Sequence, residues 1–301
     1  MLIATLPSVH NLELIKEMYK HPLIGGARYN VGSREVGITP KESLEQVLEI
    51  AKVNEKKLWI DLKGRQLRIT NWADPTYGDI KLSHEIEVDL PAKIFFRGGF
   101  WSNVVAVDGN KIAVVPDPPE ATGQGQAINI LGPNLKIIGE YLTGTDKEFI
   151  EAANELGIHD YMLSFVEDQG DIEAVKAIDP DANCVLKIES VPGLRYVRTQ
   201  YKGDTQLMAA RDDLCVNIGP NKAYMIAALE RIIKNDPEAI CASHLFTSLE
   251  KQGRLALADI SDLRLMQLMG YKNFMLSDGV SHRHFREAMD VWEKYQEVYD
   301  E

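Results

Sequence analysis

The chain has 301 residues, 45% of them hydrophobic and 26% charged, with a formal net charge of −12. That is an ordinary soluble globular composition, long enough for a large core in one domain or one domain plus an insert. The acidic balance leaves no basic footprint for nucleic acid, and no apolar run approaches the length of a membrane span, so neither partner is expected.

Residues 2–5 read as a strand, and residues 11–20 follow with Leu12, Leu14, Ile15 and Met18 close to a helical period. Residues 24–30 form a second strand candidate. Thr39-Pro40-Lys41-Glu42 opens a helix: Thr as N-cap, Pro in the first turn, Glu three residues after the cap. Residues 58–62 are the third strand. From 69 to 133 the helical period disappears, and alternating segments at 85–90, 93–96, 104–107 and 111–115 are separated by turn residues such as Asp108-Gly109-Asn110. This stretch is expected to be a small all-β insert after strand three, with residues 1–68 and 134–301 forming the main domain.

Helix and strand then alternate again. A helix at 143–156, capped by Thr143 or Thr145, leads to strand candidates at 161–165, 184–189, 206–210, 239–243 and 273–277. Helix candidates fall at 171–178, 220–233, 259–269 and 283–299. Eight strands in this alternation predict an α/β fold, a (β/α)8 TIM barrel. A doubly wound open sheet is the runner-up, weakened because no glycine-rich dinucleotide fingerprint follows any strand. The start, Met1-Leu2-Ile3-Ala4-Thr5-Leu6-Pro7, is unlike a signal peptide. Cys184, Cys215 and Cys241 are scattered, odd in number and without zinc-ligand spacing. They read as reduced thiols of a cytoplasmic protein.

In a barrel, active residues sit at or just after the C-terminal ends of strands. The polar residues there are Arg28 and Asn30, Asp61 and Lys63, Ser164, Lys187 and Glu189, Arg211 and Asp213, Ser243, and Ser277 with Asp278. The most informative run is Val185-Leu186-Lys187-Ile188-Glu189. A Lys and a Glu two residues apart on an apolar strand share one side of it, and burying both is costly unless they serve a charge there. A second apolar segment, 208–214, delivers Asp213 at its C-terminal end. Two carboxylates can hold a divalent metal, with Lys187 beside them for a phosphoryl or enolate oxygen. Such a site handles negative charge on a small acid or phosphate.

Plainer readings exist for each. Lys187 and Glu189 can form a structural ion pair, and Asp212-Asp213 can cap a helix start. Arg28 can be a surface residue, Asp61 a strand end, and Ser243 a packing hydroxyl. His244, next to Ser243, is a candidate acid or base by residue type. His282-Arg283-His284 suits an exposed helix start better than a metal site.

The ordered set Ile3-Ala4-Thr5-Leu6-Pro7-Ser8, Arg28-Tyr29-Asn30, Ile60-Asp61-Leu62-Lys63-Gly64-Arg65-Gln66-Leu67-Arg68, Leu186-Lys187-Ile188-Glu189, Ala209-Ala210-Arg211-Asp212-Asp213-Leu214, Ile240-Cys241-Ala242-Ser243 and Phe274-Met275-Leu276-Ser277 resembles the pyruvate kinase family along the whole chain. The resemblance implies a barrel carrying the chemistry and a β lid inserted after the third strand. The family's C-terminal domain has no counterpart in this sequence. The same resemblance makes Glu189 and Asp213 ligands of Mg²⁺ or Mn²⁺, and Lys187 the group that neutralises the transferring phosphoryl. Arg28 would bind phosphate and Arg68 the nucleotide side. Asn30 and Asp61 match potassium ligands, so K⁺ is a further expected cofactor. Ser243 stands where a Thr helps protonate the enolate carbon. Lys63, Ser164, Arg211 and Asp212 complete the expected substrate and nucleotide contacts.

This sequence also departs from the family pattern. Asp212 replaces a Gly, Gly32 replaces a Ser potassium ligand, and Glu167 falls where a basic residue is usual. The lid's Asp-Asp-Gly motif has its nearest match in Val115-Pro116-Asp117. The expected function is metal-dependent phosphoryl transfer between phosphoenolpyruvate, or a close analogue, and a nucleotide (ADP or ATP) via an enolate. The alternatives are a metal-dependent enolate lyase or aldolase acting on a 2-oxo acid, and a non-catalytic metabolite-binding relative. A homo-oligomer is left open.

Overall fold

The computed structural model describes residues 1–33, 35–97, 99–132 and 134–299. In chain order its strands are β1 (Leu2–Thr5), β2 (Ile24–Asn30), β3 (Lys57–Leu62), β4 (Ile80–Lys81), β5 (Glu85–Glu87), β6 (Ala92–Phe96), β7 (Phe100–Asp108) and β8 (Lys111–Val115). Then come β9 (Ile128–Leu131), β10 (Lys136–Ile138), β11 (Asp160–Leu163), β12 (Asn183–Ile188), β13 (Gln206–Ala210), β14 (Ile240–Ala242) and β15 (Asn273–Met275). Strands β1, β2, β3 and β11 to β15 are parallel neighbours in that order, and β15 returns to β1 through the pairs Leu2 with Phe274 and Ile3 with Met275. The sheet is therefore a closed (β/α)8 barrel, not the open alternative.

Alternation of side chains decides what fills it. On β3, Leu58, Ile60 and Leu62 belong to the large core shared with the surrounding helices, while Trp59 belongs to a separate apolar cluster with Ile3, Met162, Val185, Met208 and Met275. The second set is the barrel interior. Two residues further along the same faces stand Thr5, Asp61, Ser164 and Lys187, all buried. A polar layer thus sits directly on an apolar plug, and Glu189, two residues past Lys187, continues it.

The helices are α1 (Leu12–Lys20), α2 (Pro40–Val53), α3 (Gly144–Glu155), α4 (Gln169–Lys176), α5 (Val191–Thr199), α6 (Arg211–Asn217), α7 (Ala223–Asn235), α8 (Thr247–Gln252), α9 (Leu257–Met269), α10 (Asp278–Arg283) and α11 (Phe285–Tyr299). Helix α5 is absent from the sequence reading because Pro192-Gly193 interrupts the helical pattern. Pro192 is tolerated in the first turn, Ser190 accepts the Gly193 N–H at 3.1 Å, and a Cβ on Gly193 would lie 2.8 Å from the Val166 carbonyl oxygen. The run 208–214 is also not one apolar segment. Strand β13 ends at Ala210 and α6 begins at Arg211, so Asp213 lies in the first turn of a short helix. No helix of the described residues is long and apolar enough to cross a membrane.

Between β3 and α3 the chain forms a five-stranded antiparallel sheet in the order β4-β8-β7-β6-β9 and a two-stranded pair, β5 with β10. These carry their own core, including Leu67, Ile69, Ile80, Phe96, Val104 and Ile130. Asp108 pairs with Lys111 across the Gly109-Asn110 turn, as its residues suggest. The pairing of Lys136–Ile138 with Glu85–Glu87 carries antiparallel structure past residue 133, which itself lies outside the described residues.

Asp146 ties the two ends of this insert together. Its carboxylate accepts the N–H of Lys63 at 2.7 Å and of Gly64 at 3.2 Å, just after β3. It also accepts the Thr143 N–H at 2.9 Å and the Thr143 hydroxyl at 2.7 Å at the start of α3. The side chain is fully buried. Removing it leaves several buried donors unpaired. We expect Asp146→Ala to lower unfolding free energy by about 2–4 kcal/mol in urea titrations. Glu42→Ala, in the exposed capping box of α2, is expected to cost about 1 kcal/mol or less. Equal losses would refute the bridging role.

Candidate functional site

Lys187 is the hub of the polar layer. Its Nζ donates to Ser164 Oγ at 2.7 Å and lies 3.1 Å from Asp61 Oδ1 and 3.2 Å from Glu189 Oε1. Three partners match the three protons of an ammonium. Burial opposes the charge on Lys187, but Asp61 and Glu189 outweigh it and hold the group protonated. Burial likewise works against ionised Asp61, but Arg28 and Lys187 prevail and keep its pKa low. Arg28 donates through Nε to Asp61 Oδ2 at 2.7 Å, and through a terminal nitrogen to Thr5 Oγ1 at 3.3 Å and Asp278 Oδ1 at 3.2 Å.

Glu189 is less well matched. Burial raises its pKa to about 7; Lys187 pulls it down, while Asp213 and Asp61 push it up. Lys187 is thus shared between two carboxylates, and Asp61 holds the ionic state more firmly than Glu189 does. Glu189 Oε2 accepts the Phe165 N–H at 2.7 Å, from a residue held at φ +51°. Asp213 Oδ1 accepts from Asn129 Nδ2 at 2.9 Å, which brings β9 of the insert onto the barrel. Gln66 Nε2 lies 3.5 Å from Asp213 Oδ2. Asn217 Nδ2 joins these groups: its two N–H donors lie among three acceptors, the Glu189 carbonyl at 3.0 Å, the Asp213 carbonyl at 2.9 Å and Asn129 Oδ1 at 2.9 Å.

The all-oxygen donor set of Glu189 and Asp213 is the kind a hard divalent cation takes, and a cation there would replace the protein donors that each carboxylate oxygen now faces: Lys187 and the Phe165 N–H at Glu189, Asn129 and Gln66 at Asp213. Among the described residues no group of three or more His, Cys, Asp or Glu is disposed to hold a metal. Two carboxylates with the remaining positions left to water and substrate is the usual protein share for Mg²⁺. Potassium at Asn30 and Asp61 fits poorly. The Asp61 oxygens face Arg28 and Lys187, and Asn30 Oδ1 accepts the Gly32 N–H at 2.9 Å. A Cβ on Gly32 would meet Asn30 Oδ1 at 3.0 Å and the Arg68 guanidinium at 3.5 Å, so a cationic side chain already stands beside this position.

The remaining expected residues separate. Ser164 is in the Lys187 cluster. Arg68 and Lys63 approach from the β3 exit; burial and the Arg68 charge lower the pKa of Lys63. Arg211 is turned elsewhere: its guanidinium pairs with Asp262 at 2.7 Å and donates to the Ser243 carbonyl at 3.0 Å, which braces the loop after β14. Asp212 is exposed and pairs with His244 Nε2 at 3.1 Å. Ser243, His244 and Phe246 all have left-handed φ, at +64°, +60° and +56°. Each such residue costs on the order of 1–3 kcal/mol, and such strain clusters at functional loops. The Ser243 hydroxyl makes no hydrogen bond to any described residue. Glu167 accepts from Ser190 Oγ at 2.6 Å, and burial raises its pKa.

Val115-Pro116-Asp117 does not supply the expected acidic motif at the mouth. Asp117 accepts from Thr76 Oγ1 at 2.8 Å within the insert. The insert instead brings Asn129 and Arg97 to the barrel, the latter 3.9 Å from Asp278. Asn129, Asn217 and Gln66 escaped the sequence reading, since lone amides carry no spacing signal. Asn129 and Asn217 also line a neighbouring cleft of about 900 Å³ between insert and barrel.

Fold and site define a class: a (β/α)8 barrel with a β insert after its third strand and a cluster of carboxylates, lysine and arginines at the strand C-terminal ends. The pyruvate kinase barrel-domain family model matches residues 103–287. The chain belongs to the pyruvate kinase family. It is 27% identical over 267 residues to the pyruvate kinase of Borreliella burgdorferi, which covers 79% of this chain and 55% of that protein. It is 30% identical over 297 residues to that of Encephalitozoon cuniculi, covering 90% and 68% respectively. The chain thus spans about half the length of the first of these relatives. The crystal structure of Cryptosporidium parvum pyruvate kinase superposes with a TM-score of 0.74 at 17% identity, covering 98% of this chain and 69% of that one.

Glu189 gives stability a pH dependence with a defined sign. Its pKa rises from 4.5 to about 7 on folding, so between these values the folded state binds a proton that the unfolded chain has released. The contribution is full below the lower value and is lost as pH rises through the upper one. In the presence of a chelator, the urea midpoint should show a falling limb across this window that Glu189→Gln makes shallower, while Glu167, also raised by burial, retains its own share. An identical slope in the variant would refute the assignment.

Proposed function

We propose that this protein is a metal-dependent phosphotransferase that moves a phosphoryl group between phosphoenolpyruvate, or a close analogue, and a nucleoside diphosphate through an enolate. The single observation that carries the reading is the buried Lys187 ammonium held between Asp61 and Glu189, with Asp213 joined to Glu189 through Asn217. Family membership supports the reaction class.

Glu189 and Asp213 would hold Mg²⁺ or Mn²⁺, which when bound supplies positive charge to phosphoryl and carbonyl oxygens. Lys187 neutralises the equatorial oxygens of the transferring group, where most of the stabilisation of such a transfer lies. Asp61 keeps Lys187 and Arg28 charged and oriented. Arg28, shared with Asp278, receives the substrate phosphate. Ser243, with its hydroxyl uncommitted, is placed to handle the proton at the enolate carbon. The β insert acts as a lid whose Asn129 reaches Asp213 and helps to exclude water. Potassium has no part in this reading, because the cationic positions around Asn30 and Asp61 are filled by side chains.

A second reading keeps the enolate and changes its partner, to a carbon–carbon lyase or aldolase acting on a 2-oxo acid. It is favoured by the Asp212–His244 pair, 3.1 Å apart and partly open to solvent, which resembles an oriented acid–base group.

Phosphorus NMR of phosphoenolpyruvate with the protein, Mg²⁺ and a panel of nucleoside diphosphates separates the two. Growth of a triphosphate signal, slowed on the order of 10³-fold or more by Lys187→Met, is the expected result. An unchanged spectrum from folded, metal-loaded protein would transfer the assignment to the lyase. That reading in turn requires metal-dependent exchange of the pyruvate methyl protons without nucleotide.

A further inference from the structure

We propose that Arg97, at the turn between β6 and β7 of the insert, is a phosphate-chain ligand that completes a three-guanidinium site with Arg68 and Arg28. The ligand class is a di- or triphosphate, as on a nucleotide. The inference deepens the phosphotransfer reading and rests on it for the identity of that ligand.

Arg68 is the first reason. Among the described residues its terminal nitrogens donate only to neutral oxygens, the Gly125 carbonyl at 2.7 Å and Gln66 Oε1 at 2.5 Å. Its Nε is buried without a hydrogen-bond partner among the described residues. A guanidinium is an obligate cation with five donors, and leaving one buried and unpaired is costly. Burial depresses its pKa most; Asp61 and Asp213 support its charge, while Arg97 and Arg28 oppose it. Lys63 is depressed in the same way, by burial and by Arg68.

Arg97 is the second reason. Its guanidinium reaches toward Asp278 at the start of α10 and has no closer ionic partner among the described residues. It lies 3.9 Å from Asp278 Oδ2, at the edge of ion-pair distance, and its side chain is 71% exposed. The other Asp278 oxygen already accepts from Arg28. An exposed contact of this length contributes little. The backbone is better fixed than the side chain, since the Arg97 carbonyl accepts from Gln126 Nε2 at 3.2 Å.

Charge matching is the third. Asp61 is shared by Arg28 and Lys187, leaving Asp278 as the carboxylate nearest to Arg97. A chain with a net charge of −12 therefore concentrates like positive charges in one place. Mutual repulsion makes such a cluster unfavourable when empty and a strong receptor for an anion. Guanidinium forks match phosphate oxygens, and a chain of two or three phosphates spans several of them where a single phosphate cannot. Arg97 would then exchange its loose Asp278 contact for the far end of the chain as the insert closes.

The test is calorimetric titration of the full chain, in Mg²⁺, with inorganic pyrophosphate, ADP and phosphoenolpyruvate separately. Arg97→Gln should weaken pyrophosphate and ADP by about tenfold or more, Arg97→Lys by less, and phosphoenolpyruvate not at all. The unfolding midpoint should not move, because the side chain is exposed. The proposal is overturned if wild-type protein binds neither pyrophosphate nor ADP, or if Arg97→Gln leaves both affinities unchanged. It is also overturned if that variant weakens phosphoenolpyruvate equally, which would mark Arg97 as a general closure latch. Arg97-dependent pyrophosphate binding without phosphoryl transfer in the NMR experiment would uphold this site and remove the kinase reading instead.

Discussion

Everything at the mouth of this barrel follows from one buried ammonium. Placing Lys187 on the apolar plug costs several kcal/mol of lost hydration unless opposite charge meets it. Asp61, across the barrel wall on β3, provides most of that charge, but Asp61 also carries Arg28. Glu189 therefore remains only partly compensated and competes with Asp213 for what positive charge is left. The cluster is balanced at one end and unsatisfied at the other.

That imbalance divides the mouth. On one wing, Asn217 ties together the main-chain carbonyls of Glu189 and Asp213, and among the described residues no cation but Lys187 pairs with either carboxylate. On the other, burial and the neighbouring guanidinium charges lower the pKa of Arg68 and Lys63, while Arg28 and Arg97 both turn to Asp278. In the proposed reading a divalent cation would satisfy the first wing and a phosphate chain the second, with Lys187 between them. The proposed substrates are thus the complement of charges that the folded chain cannot pair within itself.

The loop after β14 adds a second kind of constraint. Three non-glycine residues there have left-handed φ; Arg211 grips the Ser243 carbonyl from the start of α6, and Asp212 meets His244. Arg211 therefore acts on the site through the loop that it braces rather than by facing the mouth. The two adjacent residues Arg211 and Asp212 stitch neighbouring strand ends together, and this leaves the Ser243 hydroxyl uncommitted.

The sequence by itself determined the barrel and its inward charges. The eight-strand alternation, the cap at Thr39, and the two-residue steps from Trp59 to Asp61 and from Val185 to Lys187 and Glu189 are local patterns, because strand and helix periods are properties of neighbouring residues. Short helices escaped it. Pro192-Gly193 masks α5, and α6 is a single short turn-like helix whose apolar residues continue those of β13. Only the tertiary structure decided how the charges are shared. Arg211 faces Asp262, Asp212 faces His244, Asn129 crosses from the insert to Asp213, and Arg97 arrives over Asp278. Those pairings join residues distant along the chain, and Coulomb and desolvation energies depend on separation in space and on burial, which no local spacing encodes.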